Sequence, residues 1–185
     1  GNMSGICGII VLKPNKHSSL IDIEVMKRAL THRGPDSNGT YIKGSAALGH
    51  TRLRIIDLSQ SGDQPMANED KTVWIVFDGR VFNFQALKPV IIKLGHTFIS
   101  KTDAEVVLHA YEEWGAACLD KIEGAFAFAI WDEVRGRVFA ACDRFGEKPL
   151  FYSLQNGVFY FASELNALVN ALSHKPDIDP VGLDC

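Results

Sequence analysis

The sequence predicts an α+β domain in which mostly antiparallel sheets carry helices on their outer faces. Two observations predict it. Short runs rich in Ile, Val, Phe and Tyr outnumber the segments with helical spacing. Consecutive strand-like runs are also separated by turns far shorter than the dozen or so residues that a parallel crossover needs. Composition agrees: 185 residues, 46% hydrophobic and 22% charged, can bury one sizeable core.

The elements follow in order. Residues 6–12 form a short, β-branched apolar run that ends at Lys13-Pro14-Asn15, as a buried strand does. Residues 19–31 place Leu20, Ile23, Met26 and Leu30 at helical spacing behind a Ser cap. Residues 32–39, from His32 to Gly39, are turn chemistry throughout and predict a loop. Strands are expected at 40–43, 46–56 and 72–77, and helices at 84–94 and 103–114, with Asp103 near the start of the second. The runs 124–131, 137–142, 149–154 and 158–162 pair as hairpins through turns such as Arg135-Gly136 and Gln155-Asn156-Gly157. A last helix is expected at 164–172. The polar segment 177–185 has the character of a linker into something further, and Gly1-Asn2 ahead of Met3 that of a remnant of recombinant expression.

Charge and composition exclude several function classes. Nineteen Lys and Arg against 22 Asp and Glu give a net charge of −3, which is no electrostatic footprint for nucleic acid. Apolar runs break well short of the ~18 residues of a membrane helix. The first residues lack the basic region of a secretory signal, so a cytoplasmic location is expected. The four cysteines, Cys7, Cys118, Cys142 and Cys185, form no CxxC pair. Neither a metal site nor a disulfide framework is expected from them.

Cys7, followed by Gly8 at the start of the first strand, is the leading candidate for chemistry. A free Cys is commonly a small buried hydrophobe. The functional alternative is an N-terminal nucleophile whose own α-amine, with a pKa of ~7.7–8.0, serves as base. Further runs bear on this choice: HRGPD at 32–36, LGHTRLRIIDLS at 48–59, GDQPM at 62–66, TDAEV at 102–106, GAFAFAIWD at 124–132 and DRFGEKPLFY at 143–152. In this order, behind the early CGI, the chain resembles the glutaminase domain of asparagine synthetases, the class II glutamine amidotransferases.

The resemblance implies an N-terminal-nucleophile hydrolase fold, two stacked antiparallel sheets between helix layers (αββα), over residues 7–176, with 1–6 as a leader. It also implies hydrolysis of the L-glutamine side-chain amide through a Cys7 thioester, giving glutamate and ammonia. The ammonia passes to an ATP- and magnesium-using synthetase half; the glutaminase domain itself needs no cofactor. Carried onto this chain, Arg52 matches the holder of the substrate α-carboxylate, suited by its bidentate fork. Asp103 matches the acid that binds the α-ammonium, and Ile55 lines the pocket. His32 and His50 receive no catalytic role.

Two departures stand out. Where the family has NGEIYN, this chain has Asp78-Gly79-Arg80-Val81-Phe82-Asn83. The family Asn donates to the oxyanion together with the backbone N–H of the Gly, so Gly79 keeps its half of the hole. An ionised Asp78 has nothing to donate, and losing one such donor costs ~10²–10³ in rate. Arg80 replaces a Glu that holds the α-ammonium; Asp78 and Arg80 could also pair with each other. The second departure is the leader: with Ser4, Gly5 and Ile6 attached, Cys7 has no free amine. A glutaminase matured by cleavage before Cys7, a degenerate domain that scaffolds a synthetase partner (as β-lactam synthetases resemble), and a binding module for another small molecule all remain open at this stage.

Overall fold

The computed structural model of the chain describes residues 4–13, 20–52 and 60–172. The strands are β1 (Gly5–Val11), β2 (Ser37–Lys43), β3 (Ala46–Arg52), β4 (Met66–Ala67), β5 (Val73–Val81), β6 (Gly124–Asp132), β7 (Arg137–Cys142), β8 (Phe151–Gln155) and β9 (Val158–Ala162). The helices are α1 (Leu20–Ala29), α2 (Phe84–Lys93), α3 (Asp103–Trp114) and α4 (Leu165–Leu172). One five-stranded sheet has the order β2-β3-β1-β9-β8, and one four-stranded sheet the order β4-β5-β6-β7. Every ladder between strands is antiparallel.

Strand alternation divides the core into three layers. In β1, Ile6 and Ile10 point between the sheets, where they meet Leu48, Val76, Ala127 and Phe161. Cys7 and Ile9 point the other way, onto Ile23 and Met26 of α1 and Leu168 of α4. The outer face of the second sheet, with Ile75, Phe77 and Phe128, packs on Val107 and Tyr111 of α3 and Ile91 of α2. The result is the expected helix–sheet–sheet–helix stack.

Several boundaries move. Ser37, Asn38 and Gly39 are strand, not loop, because they pair with Arg52, Thr51 and His50 of β3. The 72–77 strand continues to Val81, since Asp78, Gly79 and Arg80 keep their ladder with Ala127, Phe126 and Ala125. β1 begins at Gly5, so Gly5 and Ile6, read as leader from the sequence, are inside the sheet and paired with Thr51 and His50. Residues 53–56 of the expected third strand, and Ile55 with them, lie outside the described residues, as does the 177–185 segment. Among the described residues no helix is long and apolar enough to cross a membrane.

Candidate active site

The site assembles where the N-terminal end of β1 meets the middle of β5. The Ser4 N–H donates to Asp78 Oδ1 at 2.9 Å, and the Ser4 carbonyl accepts from Arg33 Nε at 2.9 Å. Arg33 closes the triangle through Nη2, 3.0 Å from Asp78 Oδ2, and its Nη1 reaches Glu164 at 3.0 Å. The short 3-10 turn Thr31–Arg33 after α1 aims this guanidinium inward. Arg33 and Asp78 are both buried, at 6% and 2% exposure. Burial pushes the Asp78 carboxyl upward, against the downward pull of Lys148, the Ser4 N–H and Arg33. Both of its oxygens are taken as acceptors, so Asp78 holds Arg33 and the start of β1 and offers no proton to an oxyanion.

Gly79 adopts φ +133°, and a Cβ there would fall 2.1 Å from the Ala125 carbonyl oxygen. Only glycine fits this bend in the strand. On the far side of the bend, Arg80 acts electrostatically on Asp103: burial raises the Asp103 carboxyl, while the Val81 N–H, at 2.8 Å, and the Arg80 charge lower it. Asp78 and Arg80 therefore serve different partners rather than each other. Arg80, Asp103, Lys88 and Lys101 line an open cleft of about 690 Å³ on this side.

Arg52, 5% exposed at the end of β3, is bound through Nη1 to Asp63 Oδ1 at 2.5 Å. Its guanidinium and the Thr102 methyl both press on Gly62, where a Cβ would lie 2.5 Å from Arg52 Nη2 and 2.7 Å from the methyl. Arg52 thus lies one residue's width from Thr102, the residue before Asp103. His50 bridges the sheets, its Nε2 3.2 Å from the Phe77 carbonyl oxygen. Burial holds its pKa down at about 4. His32 pairs with Glu164 at 2.8 Å. Neither ring hydrogen-bonds to Ser4 or Cys7.

Cys7 is not brought to this group. It is fully buried on the helix side of β1, and its Sγ lies against Gly49, where a Cβ would be 2.7 Å away, beside the Lys27 stem. Burial pushes the thiol up to about 12, despite Lys27. Ser4 and Arg33 are the residues that sequence reasoning passed over. Arg33 sat inside the HRGPD run, and Ser4 stands one residue ahead of β1.

The wider relationships agree with this architecture. A profile of the glutamine amidotransferase domain matches residues 3–185. Over 183 residues the chain is 37% identical to "Asparagine synthetase [glutamine-hydrolyzing] 3" of Bacillus subtilis (strain 168), covering 98% of this chain and 30% of that protein. A putative asparagine synthetase of Methanocaldococcus jannaschii is 36% identical over 197 residues, covering 96% and 37%. The chain thus spans about a third of the length of these relatives. In fold it matches the glutamine phosphoribosylpyrophosphate amidotransferase of B. subtilis with a TM-score of 0.75 at 20% identity, over 90% of this chain and 43% of that one. The chain belongs to the glutamine amidotransferase domain family, in the form carried by asparagine synthetase-like proteins, on an N-terminal-nucleophile hydrolase fold.

Proposed function

We propose that this domain hydrolyses the side-chain amide of L-glutamine, that Ser4 is the attacking residue, and that the ammonia serves amide synthesis in an ATP- and magnesium-using synthetase half. One observation carries the assignment: the Ser4 backbone N–H is held by Asp78, the neighbour of Gly79, while Cys7 faces the helices. With Met3 removed, the free Ser4 amine, of pKa ~7.7–8.0, takes the hydroxyl proton. The Ser4 oxygen bonds to the amide carbon. The amine returns its proton to the departing nitrogen, the C–N bond breaks, and ammonia leaves. Water then cleaves the ester to glutamate and regenerates Ser4. Arg52 receives the substrate carboxylate, Asp103 its ammonium, and the Gly79 N–H the oxyanion. Turnover is slow, because Asp78 withholds a donor worth ~10²–10³ in rate.

The test is glutamate release by a chain whose intact mass begins at Ser4. Ser4→Ala abolishes release, Ser4→Cys raises it, and Cys7→Ala leaves it within a few-fold. Loss with Cys7→Ala but not with Ser4→Ala overturns the assignment. No release from the mature chain, even with Ser4→Cys and Asp78→Asn combined, leaves a scaffold that docks a synthetase half. The Asp78–Arg33 pair favours that second reading.

A further inference from the structure

On the outer helix layer, about 9 Å along α3 from Asp103, four side chains from three separate parts of the chain converge. We propose that Glu69, His96, His109 and Glu112 form a binding site for a divalent transition-metal ion of zinc type. One ligand atom from each lies within 4.8 Å of all the others. His96 Nδ1 is 3.3 Å from Glu69 Oε1 and 3.5 Å from Glu112 Oε2. His109 Nδ1 is 2.7 Å from Glu112 Oε2 and 3.9 Å from Glu69 Oε2. These separations bracket the roughly 3.3 Å between ligand atoms in a tetrahedral zinc site with bonds of ~2.0–2.1 Å.

The surroundings of the two rings strengthen the case. His96 Nε2 lies 2.8 Å from Glu113. Its Nδ1 faces carboxylate oxygens of Glu69 and Glu112, an arrangement that either a proton on the ring or a metal cation between them holds together. His109 turns Nδ1 to the cluster, 2.7 Å from Glu112, while its buried Nε2 makes no hydrogen bond and lies 3.7 Å from Glu105. An imidazole with its far nitrogen on a carboxylate is the usual setting of a histidine metal ligand, and His96 has it through Glu113. The two carboxylates are themselves held, Glu69 by the Thr97 N–H at 3.0 Å and Glu112 by the Asn68 amide at 2.6 Å. Two imidazoles and two carboxylates suit zinc, and the two negative charges neutralise its own. The side chain of Glu69 is 43% exposed and that of His109 2%, so the site is anchored at depth and open on one side.

The experiment titrates zinc into the intact chain against a chromophoric chelator, with cobalt(II) as the spectroscopic probe. One equivalent of zinc is taken up, cobalt gives the intense visible bands of a tetrahedral site, and zinc raises the thermal midpoint. His109 is buried and its replacement risks the fold, so the variants are on the open side. Glu69→Gln and His96→Ala each weaken zinc binding by at least ~10²-fold, with the unfolding of the metal-free protein little changed. Glu113→Gln, which touches only the far nitrogen of His96, weakens it ~10–100-fold. No uptake means that protonated imidazoles alone join the carboxylates, and it overturns the proposal. Uptake undiminished by Glu69→Gln and His96→Ala places the ion elsewhere and overturns it equally.

Discussion

Arg33 and Asp78 form a buried ion pair, 3.0 Å apart, with side chains 5% and 2% exposed. It ties the turn after α1 to the middle of β5, and the Ser4 backbone completes the group. Removing one partner strands the other charge away from water, which costs about 3–5 kcal/mol. Arg33→Met is therefore expected to destabilise the domain by that amount in urea unfolding. Arg33→Met with Asp78→Leu is expected to recover most of the loss, because no unpaired charge then remains. A double variant no more stable than the single would show that the pair contributes by its geometry instead.

Cys7 and Cys118 are both shielded, with thiols pushed up by burial to about 12 and about 11. At pH 8 a thiol of pKa about 12 is thiolate in only ~10⁻⁴ of molecules, and the thiolate is the reactive form. Native protein treated with iodoacetamide is expected to leave both cysteines unmodified over hours, while urea-unfolded protein is alkylated within minutes. Peptide mass mapping distinguishes the two. Fast native labelling of Cys7 would argue for an accessible nucleophile at that position.

His50 gives stability a pH dependence of known sign. Burial depresses its folded pKa to about 4 from 6.5; the Phe77 carbonyl and Asp63 oppose this and Arg52 adds to it. Between pH 6.5 and 4 the unfolded chain binds the extra proton, so this contribution is present above pH 6.5 and is lost as pH falls towards 4. The loss is on the order of 3 kcal/mol at the low end. The unfolding free energy of the wild type minus that of His50→Gln, followed across this range, should fall by that amount with acidification. A flat difference would mean that His50 takes up its proton without leaving its site.

The hairpins of the second half were legible because their turns and alternating apolar residues act locally: β7 and β9 begin and end where the pattern places them. Helix α3 likewise runs from Asp103 to Trp114 as its spacing predicts. The strand through Asp78, Gly79 and Arg80 was not legible, because two charges around a glycine look like a turn. Only the ladder to β6 keeps them extended. The burial of Cys7 depends on which face of β1 meets α1, and alternation alone cannot choose a face. The Glu69, His96, His109 and Glu112 cluster joins positions far apart in sequence. Only the i, i+3 relation of His109 and Glu112 could be read in advance.

Gly79 and Gly136 separate two costs that are usually confounded. Both have positive φ, +133° and +60°. At Gly136 a Cβ would meet nothing within 4 Å, so Gly136→Ala carries only the left-handed backbone cost of about 1–2 kcal/mol. At Gly79 the same methyl would fall 2.1 Å from the Ala125 carbonyl oxygen and 2.7 Å from Phe126 Cα. Both are backbone atoms of β6, a strand locked between β5 and β7, so neither can swing aside as a side chain would. Gly79→Ala is expected to cost at least ~4 kcal/mol, a large share of the ~5–15 kcal/mol that holds a domain folded. Urea or thermal unfolding of the two variants checks this. Equal losses at both positions would mean that the bend at Gly79 opens readily, and then the Gly79 N–H is not held rigidly enough to serve an oxyanion.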